Sequence, residues 1–387
     1  MLIMGMIKRL AYLKQLSNAL RRSPVVALLG PRQCGKTTLT RIYGEGKEAL
    51  YFDLESQPDI RRLQNPELIL GSSRGLVILD EIQRMPELFN TLRVVVDRPE
   101  TKAHFLILGS ASPDVVKGVS ETLAGRVEFV ELSGFDIGET DADSWKDMWL
   151  RGSFPRSFLA NSDDDSMAWR EGFIRTFLER DIPQLGITIP AAAMRRFWTM
   201  LAHYHGQTWN ASELARSMGL TDKTVRSYLD ILTGTYMIRQ LQPWHQNISK
   251  RQVKAPKIYL KDSGILHTLL SISDYHSLMG HPRLGASWEG FAVEQFMRIV
   301  RPAQAYFWAT HSGAEIDLFF LHGGHRYGVE FKFSEAPEVT RSMRIVLADL
   351  NLDHLWIIYP GEELYPVDEQ ITVVPLSRLA EISALLS

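Results

Sequence analysis

Residues 30–37 of this chain read Gly30-Pro31-Arg32-Gln33-Cys34-Gly35-Lys36-Thr37. They match the pattern G-x-x-x-x-G-K-[ST] at every position. In this pattern glycines let backbone N–H groups curl around phosphates, a lysine adds a cation, and a hydroxyl offers a hard oxygen to magnesium. An apolar run precedes the loop and a helix-like stretch follows it, which is the context that the pattern requires. The sequence therefore predicts a site for ATP and Mg²⁺. Its expected phosphate contacts are Gly30, Gly35, Lys36, Thr37 and Thr38.

Five short β-rich runs accompany this loop, separated by helix-like stretches. They are PVVALLG (24–30), ALYFDLE (49–55), GLVILDE (75–81), HFLILGS (104–110) and VEFVELS (127–133). The first four hold continuous apolar stretches, typical of strands buried on both faces, whereas the fifth alternates with acids as an edge strand does. Residues 1–140 are therefore predicted to be an α/β domain with a parallel sheet and helices on both sides.

Two carboxylates, Asp80 and Glu81, follow the apolar run 76–79 at a predicted strand end. Asp80 is expected to hold the magnesium shell through water, and Glu81 to orient and deprotonate the attacking water. Ser110 ends the next run and is expected to touch the γ-phosphate or that water, although a serine at a strand end is often only a turn former.

Composition excludes several classes of protein. The chain has 387 residues, 45% of them hydrophobic and 23% charged, which are ordinary globular values. Unbroken apolar runs reach five residues at most, far short of the roughly 20 that a membrane-spanning helix needs. The amphipathic N-terminus lacks the features of a signal peptide. A single cysteine, Cys34, excludes a disulfide framework and fits a reducing compartment. We therefore expect a cytoplasmic protein without a membrane partner.

The net charge of −2 hides an asymmetry, because residues 191–262 contain eleven Lys or Arg and only four Asp or Glu. Within them, residues 207–244 predict a helix-turn-helix: Ser212 caps the first helix, Gly219 permits the turn and Thr221 caps the second helix. The predicted apolar face of that second helix is Val225, Tyr228, Leu229 and Leu232.

Lys223 and Arg226 lie off that apolar face, where a recognition helix presents side chains to a major groove. Residues 237–260 then predict a two-stranded wing, so that the whole segment resembles a winged helix. The cations of this wing that are available for phosphates are Lys250, Arg251, Lys254 and Lys257. Duplex or branched DNA is the expected partner. The alternative is a module that packs within the protein or contacts another protein.

The C-terminal part carries carboxylates whose spacing suggests a metal site. With His322-Gly323-Gly324-His325 as a hairpin loop, paired residue numbers sum to 647, which places Asp317 opposite Glu330. Lys332 shares a sheet face with Glu330. Two acids that hold a metal and a lysine that stabilises the transition state are what phosphodiester cleavage requires. The alternative is a cross-strand salt-bridge cluster on an inactive scaffold.

Two resemblances extend this interpretation. GPRQCGKTTL, LDEIQRMPELF, LILGSAS and ETLAGRVEFVELSGF resemble the AAA-type ATPases that occur as many paralogues in archaea and bacteria with an uncharacterised C-terminal region. RGSFPRSF and TFLERDIPQLG extend that resemblance over nearly the whole chain. It implies a homo-oligomer, a hexameric ring being one form, in which an arginine of a neighbouring subunit completes the site. Arg126 is the candidate and Arg180 a second one, and a surface salt bridge is the alternative role for Arg126.

The helix acid, the Asp and the E-x-K of the C-terminal part resemble the PD-(D/E)xK nuclease superfamily. By that resemblance Glu289 is the helix acid, with Glu294 as second choice, and Asp317, Glu330 and Lys332 complete the site. His322 and His325 are expected to be loop residues.

The expected organisation has four parts: an AAA-type ATPase domain (1–140), a linker and helical segment (141–190), a winged-helix domain (191–270) and an α/β restriction-endonuclease-like domain (280–387). The expected function is a Mg²⁺-dependent ATPase that binds, remodels or branch-migrates DNA, with nuclease activity left open. The alternative is an ATP-regulated switch or scaffold that binds DNA or a protein and carries an inactive nuclease-like domain.

Overall fold

The chain divides into two structural units. Unit 1 consists of residues 1–135 and 234–236, and unit 2 of residues 136–233 and 237–387. The computed structural model describes residues 7–110, 113–246 and 251–386. The break between the units falls at the start of the stretch 136–166, whose richness in Asp, Glu, Gly and Ser indicates a boundary. None of the described helices is long and apolar enough to pass through a membrane.

Unit 1 is an α/β structure. Its strands are β1 (Val25–Gly30), β2 (Ala49–Asp53), β3 (Arg74–Asp80), β4 (Lys102–Ser110) and β5 (Val127–Glu131). Its helices are α1 (Leu10–Arg22), α2 (Lys36–Gly44), α3 (Gln57–Arg62), α4 (Pro66–Ser72), α5 (Leu88–Val96) and α6 (Pro113–Thr122).

The five strands of unit 1 form one parallel sheet in the order β2-β3-β4-β1-β5. The five predicted runs are therefore confirmed as strands, and β5 is an edge strand as its alternating acids predicted. The expectation of burial on both faces is wrong for β2: it lies at the other edge, and Phe52 is its one buried residue. β1 is buried along its whole length, which places the start of the glycine-rich loop in the middle of the domain.

Unit 2 holds the remaining elements. Its helices are α7 (Trp145–Arg151), α8 (Pro155–Phe158), α9 (Asp163–Thr176), α10 (Ile182–Gln184), α11 (Ala191–His203), α12 (Ala211–Met218), α13 (Asp222–Gly234), α14 (Ser263–Leu269), α15 (Tyr275–Met279), α16 (Leu284–Ile299), α17 (Arg341–Leu350) and α18 (Leu379–Leu385). Its strands are β6 (Gln207–Thr208), β7 (Ile238–Pro243), β8 (Lys257–Leu260), β9 (Ala305–Ala309), β10 (Glu315–His322), β11 (His325–Phe331), β12 (His354–Tyr359), β13 (Tyr365–Pro366) and β14 (Ile371–Pro375).

The nine strands found among the described residues of unit 2 belong to one sheet, in the order β13-β14-β12-β11-β10-β9-β7-β8-β6. The strands of the predicted wing, β7 and β8, pair antiparallel with each other. β7 also pairs parallel with β9 of the C-terminal part, through Gln242↔Tyr306 and Pro243↔Phe307. The predicted segments 191–270 and 280–387 therefore share a sheet, because the end of β7 continues into the C-terminal pairing.

The β10–β11 hairpin has the predicted register, since Leu321 pairs with Arg326. The predicted four-residue loop is wrong, however, because His322 pairs with His325 and the turn consists of Gly323 and Gly324 alone. Both glycines have positive φ, 58° and 85°, as the tight two-residue turn of a hairpin demands. Shortening the loop by one residue at each end leaves the sum of paired residue numbers unchanged.

Helices α12 and α13 form the predicted helix pair. Gly219 ends α12 with φ 69°, and the Thr221 hydroxyl accepts a hydrogen bond from Thr224 N at 3.2 Å. The predicted cap of α12 is wrong: Asn210 caps it by accepting from Glu213 N. Ser212 instead lies inside the helix and donates to Asp222 at 2.6 Å. An asparagine side chain competes equally well for the cap position, and here it lies directly before the first helical residue.

Candidate functional site

The glycine-rich loop connects β1 to α2 in unit 1. Gln33 and Gly35 adopt left-handed backbone conformations, with φ 63° and 96°, and α2 begins directly after them at Lys36. Left-handed residues within such a loop turn successive N–H groups toward one point, and a helix N-terminus adds a positive dipole. The Lys36 ammonium donates to the carbonyls of Gly30 and Pro31, both at 2.9 Å. The loop therefore fits a polyphosphate, with Lys36 beside it and Thr38 exposed at the start of α2.

Contacts behind the loop constrain the position of its backbone. A Cβ added to Gly30 would lie 2.0 Å from the carbonyl oxygen of Leu132, so any side chain at position 30 would displace the segment that follows β5. The buried Arg9 guanidinium donates to the carbonyls of Cys34 at 3.2 Å and of Ser133 at 2.9 Å. Arg9 thus ties the loop to the segment after β5. Sequence reasoning missed this role because Arg9 lies in an N-terminal stretch that has the pattern of an amphipathic surface helix.

Asp80 ends β3 and lies against the loop. Its Oδ2 atom accepts a hydrogen bond from the Thr37 hydroxyl at 2.8 Å, and its Oδ1 atom accepts from Glu81 N at 3.0 Å. Tyr51 of the neighbouring strand β2 also donates its hydroxyl to Asp80 Oδ2. Thr37 and Asp80 therefore bring two oxygens to one point. Mg²⁺ bound with a nucleotide typically takes one or two protein oxygens together with phosphate and water, so these residues fit the ion.

Glu81 follows Asp80 with φ 57°, a left-handed conformation that is uncommon for a residue with a side chain. Burial raises the pKa of its carboxyl above the ordinary value, and the neighbouring Lys36 opposes that shift. Gln83 donates its side-chain amide to Glu81 Oε2 and so orients the carboxylate. A strained backbone and a less acidic carboxyl beside a phosphate loop suit a residue that accepts a proton from water.

Ser110 is the last residue of β4, and its backbone pairs with Gly30 at the first position of the loop. This places its main chain at the expected edge of the sheet, while its side chain lies outside the part of the chain that the structure describes.

Arg126 precedes β5, and its carbonyl accepts a hydrogen bond from Val25 N at the start of β1. The loop follows the other end of that strand. The five steps between the six residues Val25 to Gly30 span about 16 Å at the usual rise of a strand. Arg126 therefore does not reach the loop of its own chain. Its guanidinium forms a two-point ion pair with Asp97, at 2.6 and 2.8 Å. The second candidate, Arg180, is exposed in a π-helical turn of unit 2 between α9 and α10.

The predicted DNA contacts lie on two elements of unit 2. Lys223 and Arg226 are exposed on α13, whereas its predicted apolar face is buried. Arg251 and Lys254 are exposed on the segment between β7 and β8, and Lys250 lies outside the described residues. Lys257, which the sequence suggested for phosphate contact, is instead buried in unit 2.

The carboxylates of the C-terminal part converge as the hairpin register predicts. Lys332 donates its ammonium to Glu330 Oε1 at 2.6 Å. Asp317 Oδ2 accepts from the backbone N–H of Phe331 at 3.1 Å, which holds it beside Glu330. A β-bulge between Ile316 and Phe319 interrupts the pairing of β10 with β9. Such a bulge redirects the side chains on it, here Asp317.

Glu289 of α16 joins this cluster, whereas Glu294 does not. Glu289 Oε1 accepts from the hydroxyl of Tyr259 at 2.5 Å and lies 3.3 Å from the ammonium of Lys257. Glu294 is buried in an ion pair with Arg239 of β7. The resemblance to the nuclease superfamily thus selected the residue that the structure places in the cluster, and Glu294 links α16 to β7.

The ammonium group of Lys257 lies between the carboxyl groups of this cluster. Its ammonium lies 3.3 Å from Glu289 Oε1 and 3.4 Å from Asp317 Oδ1. It also pairs with the half-exposed Glu315. Burial lowers the pKa of a lysine, but here Tyr259 and the carboxylates more than offset that effect and raise the pKa of Lys257 above its ordinary range. The side chain therefore stays charged.

The remaining acids respond to the same burial. Burial, reinforced by the charge of Asp317, raises the pKa of Glu289 to about 7 and that of Glu330 to about 8. Glu330 Oε2 is buried without a hydrogen-bond partner among the described residues. Across the described ranges, no group of three or more His, Cys, Asp or Glu is arranged to hold a metal ion. The cluster as folded does not fit a divalent metal, because an ammonium already lies between its oxygens.

Besides Arg9, four residues of these sites escaped sequence reasoning: Tyr51, Gln83, Tyr259 and Glu315. A signal existed for two of them, since Lys257 and Tyr259, like Glu315 and Asp317, are spaced i and i+2 and so share one face of a strand. The sequence could not show that these residues of β8 and β10 meet. The two strands are not neighbours in the sheet, since β9 and β7 lie between them, and that strand order is not visible in the sequence.

Comparison with known families matches three segments of the chain. Residues 22–140 match an AAA domain. Residues 142–276 and 284–379 match two domains of unknown function, DUF8612 and DUF4143. The AAA-type assignment of the N-terminal part is thus confirmed, and the winged-helix and nuclease-like identities stay predictions.

Two uncharacterised proteins, of Mycobacterium bovis and Mycobacterium tuberculosis, are each 52% identical to this chain over 365 residues, which covers 94% of the chain and 83% of theirs. A Walker-type ATPase of Pyrococcus abyssi has a similar structure, with a TM-score of 0.52 at 12% identity. That match covers 68% of this chain and 96% of the archaeal one, and it shows a common fold alone.

Proposed function

Because the chain belongs to the same family as these two mycobacterial proteins and begins with an AAA-type P-loop ATPase domain, we propose that it hydrolyses ATP with Mg²⁺ and couples the cycle to DNA binding. The observation that carries the hydrolysis is the convergence of Thr37, Asp80 and Glu81 beside the glycine-rich loop. A loop that only bound phosphate would not need an acid pair at the end of β3, the second strand away from β1 in the sheet.

Each residue has a distinct role in the proposed reaction. The loop N–H groups and Lys36 bind the β- and γ-phosphates, and the Lys36 cation neutralises charge as it develops there. Thr37 and Asp80 would hold Mg²⁺, which supplies further neutralisation of the phosphate oxygens. Glu81 accepts a proton from the attacking water, with Gln83 holding its carboxylate in place. Tyr51 fixes Asp80 from the neighbouring strand.

We propose that the protein forms a homo-oligomer, and the position of Arg126 supports this proposal. The arginine lies beside the start of β1, whereas the loop of its own chain follows the end of β1, so any role at a phosphate requires a second subunit. Its ion pair with Asp97 is exposed to solvent, where such pairs stabilise a fold only weakly, so the guanidinium can exchange to a phosphate.

DNA binding rests on α13. The helix buries Val225, Leu229 and Leu232 and leaves Lys223 and Arg226 exposed. That division is what a helix needs in order to pack on its own domain and present cations to a phosphate backbone. Nuclease activity receives no comparable support, because Lys257 lies among the carboxylates that cleavage would require.

Release of phosphate from ATP by the purified protein tests the hydrolysis directly. Lys36→Ala should abolish ATP binding, measured with a fluorescent ATP analogue, and with it the release of phosphate. An exposed lysine elsewhere in unit 1, Lys47→Ala, is the matched control and should leave both unchanged. A protein that neither binds nor hydrolyses ATP under any Mg²⁺ condition would refute the proposal.

A further inference from the structure

The C-terminal carboxylate cluster consists of Glu289, Glu315, Asp317 and Glu330, with Lys257 and Lys332 as its cations. We infer that the ammonium of Lys257 is the resident cation of this cluster and replaces a divalent metal there. The predicted winged segment and the C-terminal part of unit 2 then form one structural part, and that part does not cleave nucleic acid. This inference is independent of the proposed ATPase, which uses residues of unit 1 alone.

The position of Lys257 in the sheet is fixed by pairing on both sides. It is the first residue of β8, where its backbone pairs with Leu241 of β7 and with Thr208 of β6. All four residues of β8 are buried. A lysine whose backbone lies between two strands cannot swing away as one in a loop could. Its ammonium is therefore a built-in feature of the cluster.

The side-chain geometry suits an ammonium. The Lys257 side chain is 6% exposed, and its ammonium reaches Glu289 and Asp317 at 3.3 and 3.4 Å. Mg²⁺ would draw the same oxygens in to about 2.0–2.1 Å. The two cations compete for one position, since like charges so close would repel strongly in a buried site. An ion could enter only after the lysine had left.

Tyr259 makes the arrangement more specific. It lies two residues beyond Lys257 on the same face of β8 and donates to Glu289 Oε1 at 2.5 Å. Glu289 therefore accepts two donors from β8, which leaves less of its charge for a metal. The contacts also join β8 of the predicted winged segment to α16 of the C-terminal part, so the pairing locks the two segments together.

Glu330 distinguishes this site from an ordinary salt-bridge cluster. Its Oε1 atom bonds Lys332, but its Oε2 atom is buried without a hydrogen-bond partner in the described part of the chain. An oxygen that is buried without a hydrogen-bond partner is costly. The Lys257 ammonium does not satisfy this oxygen, which is left as a ligand position for a cation. Removal of Lys257 should therefore open a metal site.

Mn²⁺ binding to the full-length, nucleotide-free protein tests the inference, with free Mn²⁺ followed by electron paramagnetic resonance. Wild type and the charge-conserving Lys257→Arg should bind no Mn²⁺ that depends on Asp317. Lys257→Ala should gain an Mn²⁺ site, and the double variant Lys257→Ala, Asp317→Asn should lose it. ATP hydrolysis should stay at the wild-type rate in all four proteins, because unit 1 is unchanged.

Two results of the Mn²⁺ titrations would overturn the inference. One is an Mn²⁺ site in the wild type that Asp317→Asn removes. The other is a folded Lys257→Ala protein that gains no site. If Lys257→Ala does not fold, the comparison of wild type with Asp317→Asn decides alone: equal Mn²⁺ titrations support the resident lysine, and a difference refutes it. Nicking of supercoiled DNA by the wild type in Mn²⁺, abolished by Asp317→Asn, would also refute it.

Discussion

Glu81→Gln is the sharpest test of the proposed ATPase site, because it removes a proton acceptor and changes little else. Glutamine has the same shape as glutamate and tolerates the left-handed backbone at φ 57° about as well. Burial raises the pKa of Glu81, so the folded protein disfavours its charge. Replacing it by a neutral amide should therefore not destabilise unit 1, and a loss of rate cannot be attributed to unfolding.

The expected loss follows from the role assigned to the carboxylate. A positioned general base contributes roughly 10²–10⁴-fold to a rate. Each factor of ten is about 1.4 kcal/mol of barrier, so the variant should lose at least about 2.7 kcal/mol of transition-state stabilisation. ATP binding should be retained, since Lys36, Thr37 and the loop N–H groups are unchanged.

The assay is steady-state phosphate release at saturating Mg²⁺-ATP, together with equilibrium binding of a fluorescent ATP analogue. Glu55→Gln is the matched control. It removes a carboxylate that is 40% exposed and pairs with Arg84 at 2.9 Å, and it should leave the rate unchanged. A Glu81→Gln protein that turns over at the wild-type rate would show that another group activates the water. Loss of binding as well would assign Glu81 to the structure of the loop.

Three further predictions concern assembly, DNA and pH. If Arg126 acts across subunits, Arg126→Ala should lower turnover by about 10³-fold, and mixing this variant with Glu81→Gln should restore part of the activity. A protein that stays monomeric with ATP and whose rate is independent of its concentration would contradict this. Lys223→Glu with Arg226→Glu should weaken DNA binding and reduce the slope of log affinity against log salt by about two, whereas Lys8→Glu, an exposed control in unit 1, should change neither; unaltered affinity would make α13 a packing element. Burial lowers the pKa of His267 to about 3, so the unfolded chain takes up a proton near pH 6.5 that the folded protein excludes. The contribution of the neutral His267 to the free energy of unfolding is therefore complete above about pH 6.5. As the pH falls from there to about 3, this contribution decreases by about 1.4 kcal/mol per pH unit. Urea unfolding at several pH values should show a shallower dependence in His267→Gln, and an unchanged slope would contradict the neutral buried histidine.

The local sequence pattern was sufficient to predict most of the structure of unit 1. A buried strand followed by a glycine-rich loop and a helix allows few arrangements, because the phosphate contacts come from consecutive residues and their backbone. Asp80 and Glu81 were found for the same reason: the carboxyl ends of parallel strands meet at one edge of the sheet, so residues some forty positions apart converge there.

Pairing rules were also sufficient for the β10–β11 hairpin. Its register followed from a symmetric loop, and an error of one pair in the loop did not shift the partners of Leu321 or Leu318. Capping was less predictable, because Asn210 and Ser212 are both good caps and sequence alone does not say at which one the helix begins.

The long-range contacts were decided by the tertiary structure alone. Lys257 has the sequence context of one more cation in a basic wing, and nothing within ten residues of it is an acid other than Asp262. It meets Glu289 and Asp317 because β7 joins the C-terminal sheet beside β9. Strand order across a sheet depends on the summed packing of many residues, whereas a motif depends on a few adjacent ones. The phosphate loop could therefore be identified from eight letters, but the cation that lies in the carboxylate cluster could be identified only after the whole of unit 2 had been folded.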